Sequence, residues 1–315
     1  MGRIAVIGAG VVGLTVAHEL SAAGHGVEVV AGADHAGSVS SVAAAIWFPH
    51  AVGSSERVLE SGRATGERLA ALAADPATGV RLRTGTVLSR RPDPDRSWTA
   101  AVPAWREADA TEVPEGARGV VVTLPVAVTD VYLGWLRARV ERRGVVFRTA
   151  ELVEPEDVGA GFDAVVVAAG LGSGALLGDA EVHPIRGQVV RLANPGLTRW
   201  VTDDDNPGGL TYVVPRDGDV VCGGTGDVGE WGTEPDPEVE AAILRRATAL
   251  APELAGCPVV SRAVGLRPAR PRVRLEVVPG RGLPVVACYG HGGAGFTLSW
   301  GEAAEVVRVI GGLGV

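Results

Sequence analysis

Two features of residue type bound the chemistry open to this chain. Near its start, Gly8, Gly10 and Gly13 stand as Gly-x-Gly-x-x-Gly, with Ala9, Val11 and Val12 between them. Gly8 permits a tight turn, Gly10 lacks the Cβ that would collide with a pyrophosphate, and Gly13 lets a helix approach a strand. The free N–H groups and positive end of that helix then face phosphate oxygens. The second feature is an absence: all 29 basic residues are arginine. No phosphate-binding, Schiff-base or general-base lysine exists, so any reaction must rely on arginine, hydroxyls, backbone and a cofactor.

The elements that must position these groups are legible from periodicity. Ile4 to Ile7 is an apolar, partly β-branched run that reads as a buried strand, and an amphipathic helix follows from the glycines to Leu20. That helix is expected to end near Gly24, and Gly26 to Val30 reads as the second strand. Asp34 lies at roughly the distance at which such units place an acid on the adenosine ribose, although its turn also suits a solvated carboxylate. Ser38 to His50 begins with hydroxyls, Ser41 among them, and continues with the small residues Ala43 and Ala44 toward Ile46, Trp47 and Phe48. Small side chains in series let a backbone approach a flat ligand; a tightly packed helix start would need them too.

An amphipathic helix is predicted from Ser54 to Ala74, a strand over Val120 to Leu124 and a helix over Asp130 to Arg143. Asp163 to Gly174 is again a buried strand running into glycines, where Gly170 can approach a cofactor. One phosphate cradle and a second glycine-rich strand end together favour a flavin dinucleotide over a diffusible nicotinamide. Beyond it, His183 to Val190, Leu210 to Val214 and Asp219 to Gly223 alternate as antiparallel strands, and Pro235 to Leu254 supplies a helix. The expected fold class is α/β: a Rossmann-type FAD-binding domain (residues 1–75, 125–182 and 262–315) carrying an inserted mixed antiparallel-sheet substrate domain (76–124 and 183–261).

Composition narrows the partners. A net charge of −8 argues against nucleic acid, and no apolar run approaches the roughly 20 residues of a membrane span. The first strand begins at once, so no signal peptide is expected and the expected location is the cytoplasm. Cys222, Cys257 and Cys288 are widely spaced with no Cys-x-x-Cys, which suggests neither a disulfide framework nor a zinc site. No metal is expected, and a homodimer is one option for the assembly.

Three later stretches carry a resemblance. Leu210-Thr-Tyr212-Val-Val-Pro215, Gly265-Leu-Arg267-Pro through Glu276, and Tyr289-Gly-His291-Gly-Gly through Gly301 stand in the order and spacing found in D-amino acid oxidases. With Gly8 to Gly13 and Val42 to Trp47, the chain resembles that family over its whole length. The resemblance implies non-covalent FAD and oxidation of a D-amino acid to a 2-oxo acid, ammonia and hydrogen peroxide by direct hydride transfer to flavin N5, with molecular oxygen as acceptor. It implies that Arg267 holds the substrate carboxylate as a fork, that Tyr212 adds its hydroxyl, and that the Gly293 carbonyl accepts the amine. Gly292, Gly293, Gly295, Phe296 and Thr297 would line the flavin, the helix that follows placing its N–H groups toward the negative charge of the reduced ring. The resemblance assigns His291 no catalytic role.

Departures from the family pattern bear on the pocket. Gly208 stands where mammalian relatives carry a lid tyrosine, and Phe48 where relatives are often polar, which leads to the expectation of an open, apolar pocket bordered by Ile46, Phe48 and Gly208. A D-aspartate oxidase would need a further cation, for which Arg199 and Arg216 are candidates. A glycine or N-methyl amino acid oxidase shares the glycine motifs, with Cys288 as a possible covalent flavin attachment. A nicotinamide-dependent dehydrogenase or a non-catalytic flavoprotein would leave Tyr212 and Gly265 to Glu276 without a role.

Overall fold

The computed structural model describes residues 1–48 and 56–315. In chain order these form β1 (Arg3–Ile7), α1 (Val11–Ala22), β2 (Gly26–Ala31), α2 (Val39–Val42), α3 (Glu56–Leu72), β3 (Val80–Ser89) and β4 (Trp105–Glu107). They continue with β5 (Arg118–Ala127), α4 (Thr129–Glu141), β6 (Val146–Thr149), β7 (Ala164–Val167), α5 (Gly172–Leu177), β8 (His183–Ala193) and β9 (Trp200–Asp203). β10 (Thr211–Pro215), β11 (Asp219–Gly223), β12 (Asp227–Val228), α6 (Pro237–Leu250), β13 (Val259–Val278), β14 (Val285–His291) and α7 (Gly295–Gly312) complete the fold. Pro49, His50 and the expected helix start at Ser54 lie outside the described residues.

One mixed sheet runs through the molecule in the order β4-β5-β3-β9-β10-β11-β8-β13-β14-β7-β1-β2-β6, with β12 pairing β8. At one end β14, β7, β1, β2 and β6 are all parallel. The cause is legible in β1 and β7: every residue of Ile4 to Ile7 and Ala164 to Val167 is apolar and buried, as a strand covered on both faces requires. From β14 the pairing turns antiparallel through β13, β8, β11, β10 and β9. The expected α/β architecture is therefore present.

Helices close the faces through short approaches. An added Cβ at Gly301 would lie 2.3 Å from the backbone of Ser61, so α7 crosses α3 at a glycine, and the Gly301 N–H donates to Thr65 Oγ1 at 3.0 Å. The Thr15 hydroxyl donates to the Ser299 carbonyl at 3.2 Å, tying α1 to α7.

Register shifts between Ala269 and Arg274, where β13 passes from partner His291 to partner Tyr289. Pro271 has no N–H for the ladder, and the chain bulges there. Asp179 holds the bulge: its Oδ2 accepts from Arg270 Nε at 3.1 Å, Arg274 Nη1 at 3.0 Å and the Tyr289 hydroxyl at 2.8 Å. Burial works to raise the pKa of this carboxyl, and the Tyr289 hydroxyl, the Glu181 N–H and Arg270 outweigh it, leaving the net value below the usual range. A depressed carboxyl stabilises the fold at neutral pH and loses that contribution as pH falls below about 4. Asp179→Asn is expected to lose about 3 kcal/mol of stability at neutral pH, the scale for stripping one partner from a buried ion cluster. Denaturant titration at pH 7 and pH 3.5 checks it, with the gap between wild type and variant narrowing at the lower pH.

Candidate active site

A cavity of ≈ 770 Å³ runs along the C-terminal ends of the parallel strands, from Ala31–Asp34 past Gly8–Val12 to Tyr212, Arg267 and Gly290–Gly293. Its middle is the glycine turn. Gly8 has φ +116°, and an added Cβ there would lie 2.3 Å from the Ala168 carbonyl oxygen. A Cβ on Gly13 would lie 2.0 Å from the Gly8 carbonyl oxygen, so Gly13 acts by packing and is not on the cavity wall. Helix α1 starts at Gly10 without a side-chain cap on that residue and without an acid in its first turn. Apart from that of Val11, which donates to Ser40 Oγ, its leading N–H groups thus form an open anion cradle.

The segment from Ser38 wraps the same cavity, with Ala43, Ala44 and Ile46 on its wall. Ser40 Oγ accepts from the Val11 N–H at 3.1 Å. The Ser41 hydroxyl turns away, donating to Ser38 and Ala36 carbonyls, while the Ser41 carbonyl receives Thr129 Oγ1 and Arg191 Nη2, each at 2.9 Å. Ala45 takes φ +51°, a left-handed conformation costly for a residue with a Cβ, and sits on the cavity wall.

At the other end Arg267 is the critical group. Its guanidinium lies flat against Gly187, where an added Cβ would fall 2.4 to 2.6 Å from its terminal atoms. Arg267 Nη1 donates to the Thr225 carbonyl at 2.9 Å. The Tyr212 hydroxyl lies beside it: burial raises the phenol's pKa, and the charge and hydrogen bond of Arg267 pull it back. Arg267 has no carboxylate partner among the described residues, and none of the other arginines among them lines the cavity. Tyr212 itself rests on Gly223 and Gly224, since a Cβ on Gly223 would lie 2.1 Å from its ring. Gly293 comes next to the Arg267 stem, an added Cβ falling 3.5 Å from Cδ. A cation held in place by backbone and aromatic contacts, and left without a counter-ion, is suited to an anionic ligand.

Several expected site residues lie elsewhere. Gly208 is off the cavity wall, in a turn where an added Cβ would meet the Arg246 stem at 2.9 Å. The Phe48 ring packs edge-on against Trp98, centroids 5.1 Å apart, and is also off the wall. Thr297 Oγ1 lies 3.3 Å from the Phe48 backbone N and O, tying α7 to that segment. The openness expected from Gly208 and Phe48 therefore does not follow from these positions. Arg199 is exposed beside Glu112, and buried Arg216 is spent on Asp219. Gly170 (φ +60°), Gly292, Gly293, Gly295 and Phe296 do line the cavity.

Asp34 also lines it, but its carboxylate accepts from the His35 N–H at 2.6 Å and Arg137 Nη1 at 2.9 Å. Glu151, which the sequence did not single out, lies across from Gly32 at that end of the cavity, an added Cβ there falling 2.6 Å from its Oε1. Ser40 and Gly187 were also missed. Ser40 stood in the hydroxyl run before Val42, while Gly187 had no signal beyond a small residue inside an alternating strand. His291 is buried, and burial first, then Arg57, pushes its imidazole down to about 4, so it is uncharged at neutral pH. Cys288 is buried on the same wall, its thiol pushed well up by burial.

Fold and site define a dinucleotide-binding α/β protein whose cofactor cleft ends at a fixed, unpaired arginine. The chain belongs to the FAD dependent oxidoreductase family, which it matches over residues 3–308, and FAD is its cofactor. It is 47% identical to a D-amino-acid oxidase of Rubrobacter xylanophilus, over 98% of this chain and 96% of that one. It is 38% identical to a D-amino-acid oxidase of Streptomyces coelicolor and 34% to the human D-aspartate oxidase, in each case over 98% of this chain, and 96% and 94% of theirs. A glycine oxidase structure from Bacillus cereus superposes with TM-score 0.79 at 21% identity, covering 99% of this chain and 96% of that one.

The Gly187 contact yields a test that leaves Arg267 in the sequence. Gly187→Ala is expected to push the guanidinium aside while the strand still forms, lowering kcat/KM about tenfold to a hundredfold, the worth of one or two charged hydrogen bonds. Steady-state kinetics with a melting curve check it; a large fall in melting temperature would show that the strand yields instead.

Proposed function

We propose that this chain is a D-amino acid oxidase, converting D-amino acids to 2-oxo acids, ammonia and hydrogen peroxide with oxygen as electron acceptor. The carrying observation is Arg267, an arginine without a counter-ion that ends the cofactor cavity beside Tyr212. The full-length relatives named D-amino-acid oxidase support it. In this reading Arg267 binds the substrate carboxylate through the N–H groups not given to Thr225, and the Tyr212 hydroxyl adds a further donor. The Gly293 carbonyl takes the amine. FAD, when bound, accepts the α-hydrogen as hydride. No side-chain base is required, and neutral His291, turned into the protein, supplies none. What the protein contributes is orientation and exclusion of water.

The residues present fit FAD. Gly10 leaves room at the cradle, the uncapped start of α1 faces the cavity, and Val11, Val12, Ala43, Ala44 and Gly170 give a wall without bulky side chains. With Asp34 engaged by His35 and Arg137, Glu151 is the better acceptor for the adenosine ribose. The same reading divides the chain into a cofactor domain (1–75, 125–182 and 262–315) and a substrate domain (76–124 and 183–261), working as a cytoplasmic enzyme without a nucleic-acid partner. Attachment is non-covalent, because a buried thiol as weakly acidic as that of Cys288 is a poor nucleophile. Trichloroacetic acid is expected to release all yellow colour to the supernatant; colour kept in the pellet would point to Cys288.

The direct test is replacement of the fork. Arg267→Lys should lose about 3 kcal/mol or more of transition-state stabilisation in kcat/KM, since one ammonium cannot reproduce two parallel hydrogen bonds. Tyr212→Phe, which keeps the ring on Gly223, should lose less. Near-native efficiency in the lysine variant would remove Arg267 from the site.

Substrate preference follows from the absence of a second arginine on the cavity wall among the described residues. Carboxylate and amine fix two substituents of Cα and the hydrogen a third, so the side chain has one direction left and the L-enantiomer is rejected. D-Valine, D-methionine and D-phenylalanine are expected to be oxidised more efficiently than D-aspartate or glycine, because a desolvated carboxylate meets no cation and glycine gains no burial. Initial rates of peroxide release over a concentration series decide this. A lead for D-aspartate would favour the alternative supported by the human relative.

A further inference from the structure

Behind the glycine turn that follows β14, three buried side chains of different chemistry converge. Cys288 is 1% exposed, His291 8% and Glu302 0%, and their donor atoms all lie within 4.8 Å of one another. Cys288 and His291 come from the end of β14, three residues apart, and Glu302 is brought to them by α7. Two of the donor atoms have no hydrogen-bond partner: His291 Nε2 and Glu302 Oε2, which face each other at 4.0 Å. The other oxygen of Glu302 accepts from Arg57 Nη1 at 2.6 Å, and the Ser61 hydroxyl also bonds this carboxyl, so that Oε2 is left facing the cluster. Orphaned buried polar atoms are costly, so a cluster of them marks a place for a bound species.

We infer that Cys288, His291 and Glu302 form a binding site for one zinc-class divalent cation. One thiolate, one imidazole and one carboxylate are the donor types that zinc takes, and a soft sulfur ligand selects against magnesium and calcium. In a tetrahedral shell with Zn–S of about 2.3 Å and Zn–N or Zn–O of about 2.0–2.1 Å, neighbouring donors lie about 3.3–3.6 Å apart. The three side chains are therefore within about 1 Å of closing on an ion, with the fourth position left to water. Arg57 orients the carboxylate as outer-shell partners of metal ligands do. Cys288 and His291 also line the cofactor cavity, so the ion would sit beside it. This site is independent of the oxidase reading and uses no group that the reaction needs from a side chain.

The test uses the FAD-loaded enzyme freed of metal by dialysis against a chelator and titrated with zinc ion in competition with a chromophoric chelator. One zinc per chain is expected, and zinc X-ray absorption should show one sulfur at about 2.3 Å with nitrogen or oxygen neighbours at about 2.0–2.1 Å. Cys288→Ser and Glu302→Gln should each weaken binding by about a hundredfold or more, beyond the loss typical of an outer-shell change. The flavin absorbance of each variant reports whether its fold is intact. If a variant does not fold, the sulfur signal in the wild-type spectrum still decides. No stoichiometric zinc, a shell without sulfur, or affinity unchanged in the folded variants would overturn the site and leave the orphaned atoms to a bound water.

Discussion

Everything in this fold is hung on one steric constraint, the backbone-to-backbone contact of Gly8 with Ala168 and of Gly13 with Gly8. Side chains at those glycines would have to occupy space 2.3 Å and 2.0 Å from carbonyl oxygens, so the contacts exist only because no Cβ is there. They draw β1, β7 and α1 into one unit, with the uncapped helix start pointing along the cavity. The apolar runs of both strands then require cover on both faces, which α1, α7 and α5 supply. A single local feature thus sets the orientation of the cradle and the burial of the parallel sheet.

How much of this was legible in the sequence depends on how far apart the interacting residues stand. The cradle, β2 and α4 follow local periodicity, and their ends fall within a few residues of expectation. β5 (Arg118–Ala127) runs longer than the Val120 to Leu124 core that signalled it, because its ends alternate less cleanly. β13 has only a short periodic signature, the charged and apolar alternation of Arg272 to Glu276; the two prolines and four arginines over Gly265 to Glu276 otherwise look like exposed coil. Pairing with β8 on one side and β14 on the other, with the Asp179 clamp, makes it a strand.

The site divides the same way. Arg267, Tyr212 and the glycines carried motif information and meet around one cavity. Gly208 and Phe48 were inferred from what other proteins place at those positions; Gly208 sits in a turn off the wall, and the Phe48 ring packs on Trp98 instead. Ser40 and Glu151 matter through contacts across 29 residues and across the β2–β6 edge, which no window along the chain can register. The hydroxyl of Ser41, one residue from that of Ser40, faces the opposite way because a short helix rotates each successive side chain by about 100°.

The continuous sheet has a consequence for how such a protein can vary. Arg267 lies on β13, and Gly292–Gly293 follow directly from β14, its hydrogen-bonded neighbour, so the distance between the two is set by a ladder rung. Neither a hinge nor a docking surface intervenes. The Ala43–Ile46 segment, which borders the cavity, is attached outside that ladder and can change sequence without altering the rung. Descendants of one ancestor can therefore diverge in what they accept while the spacing between the arginine and the glycine turn is inherited unchanged.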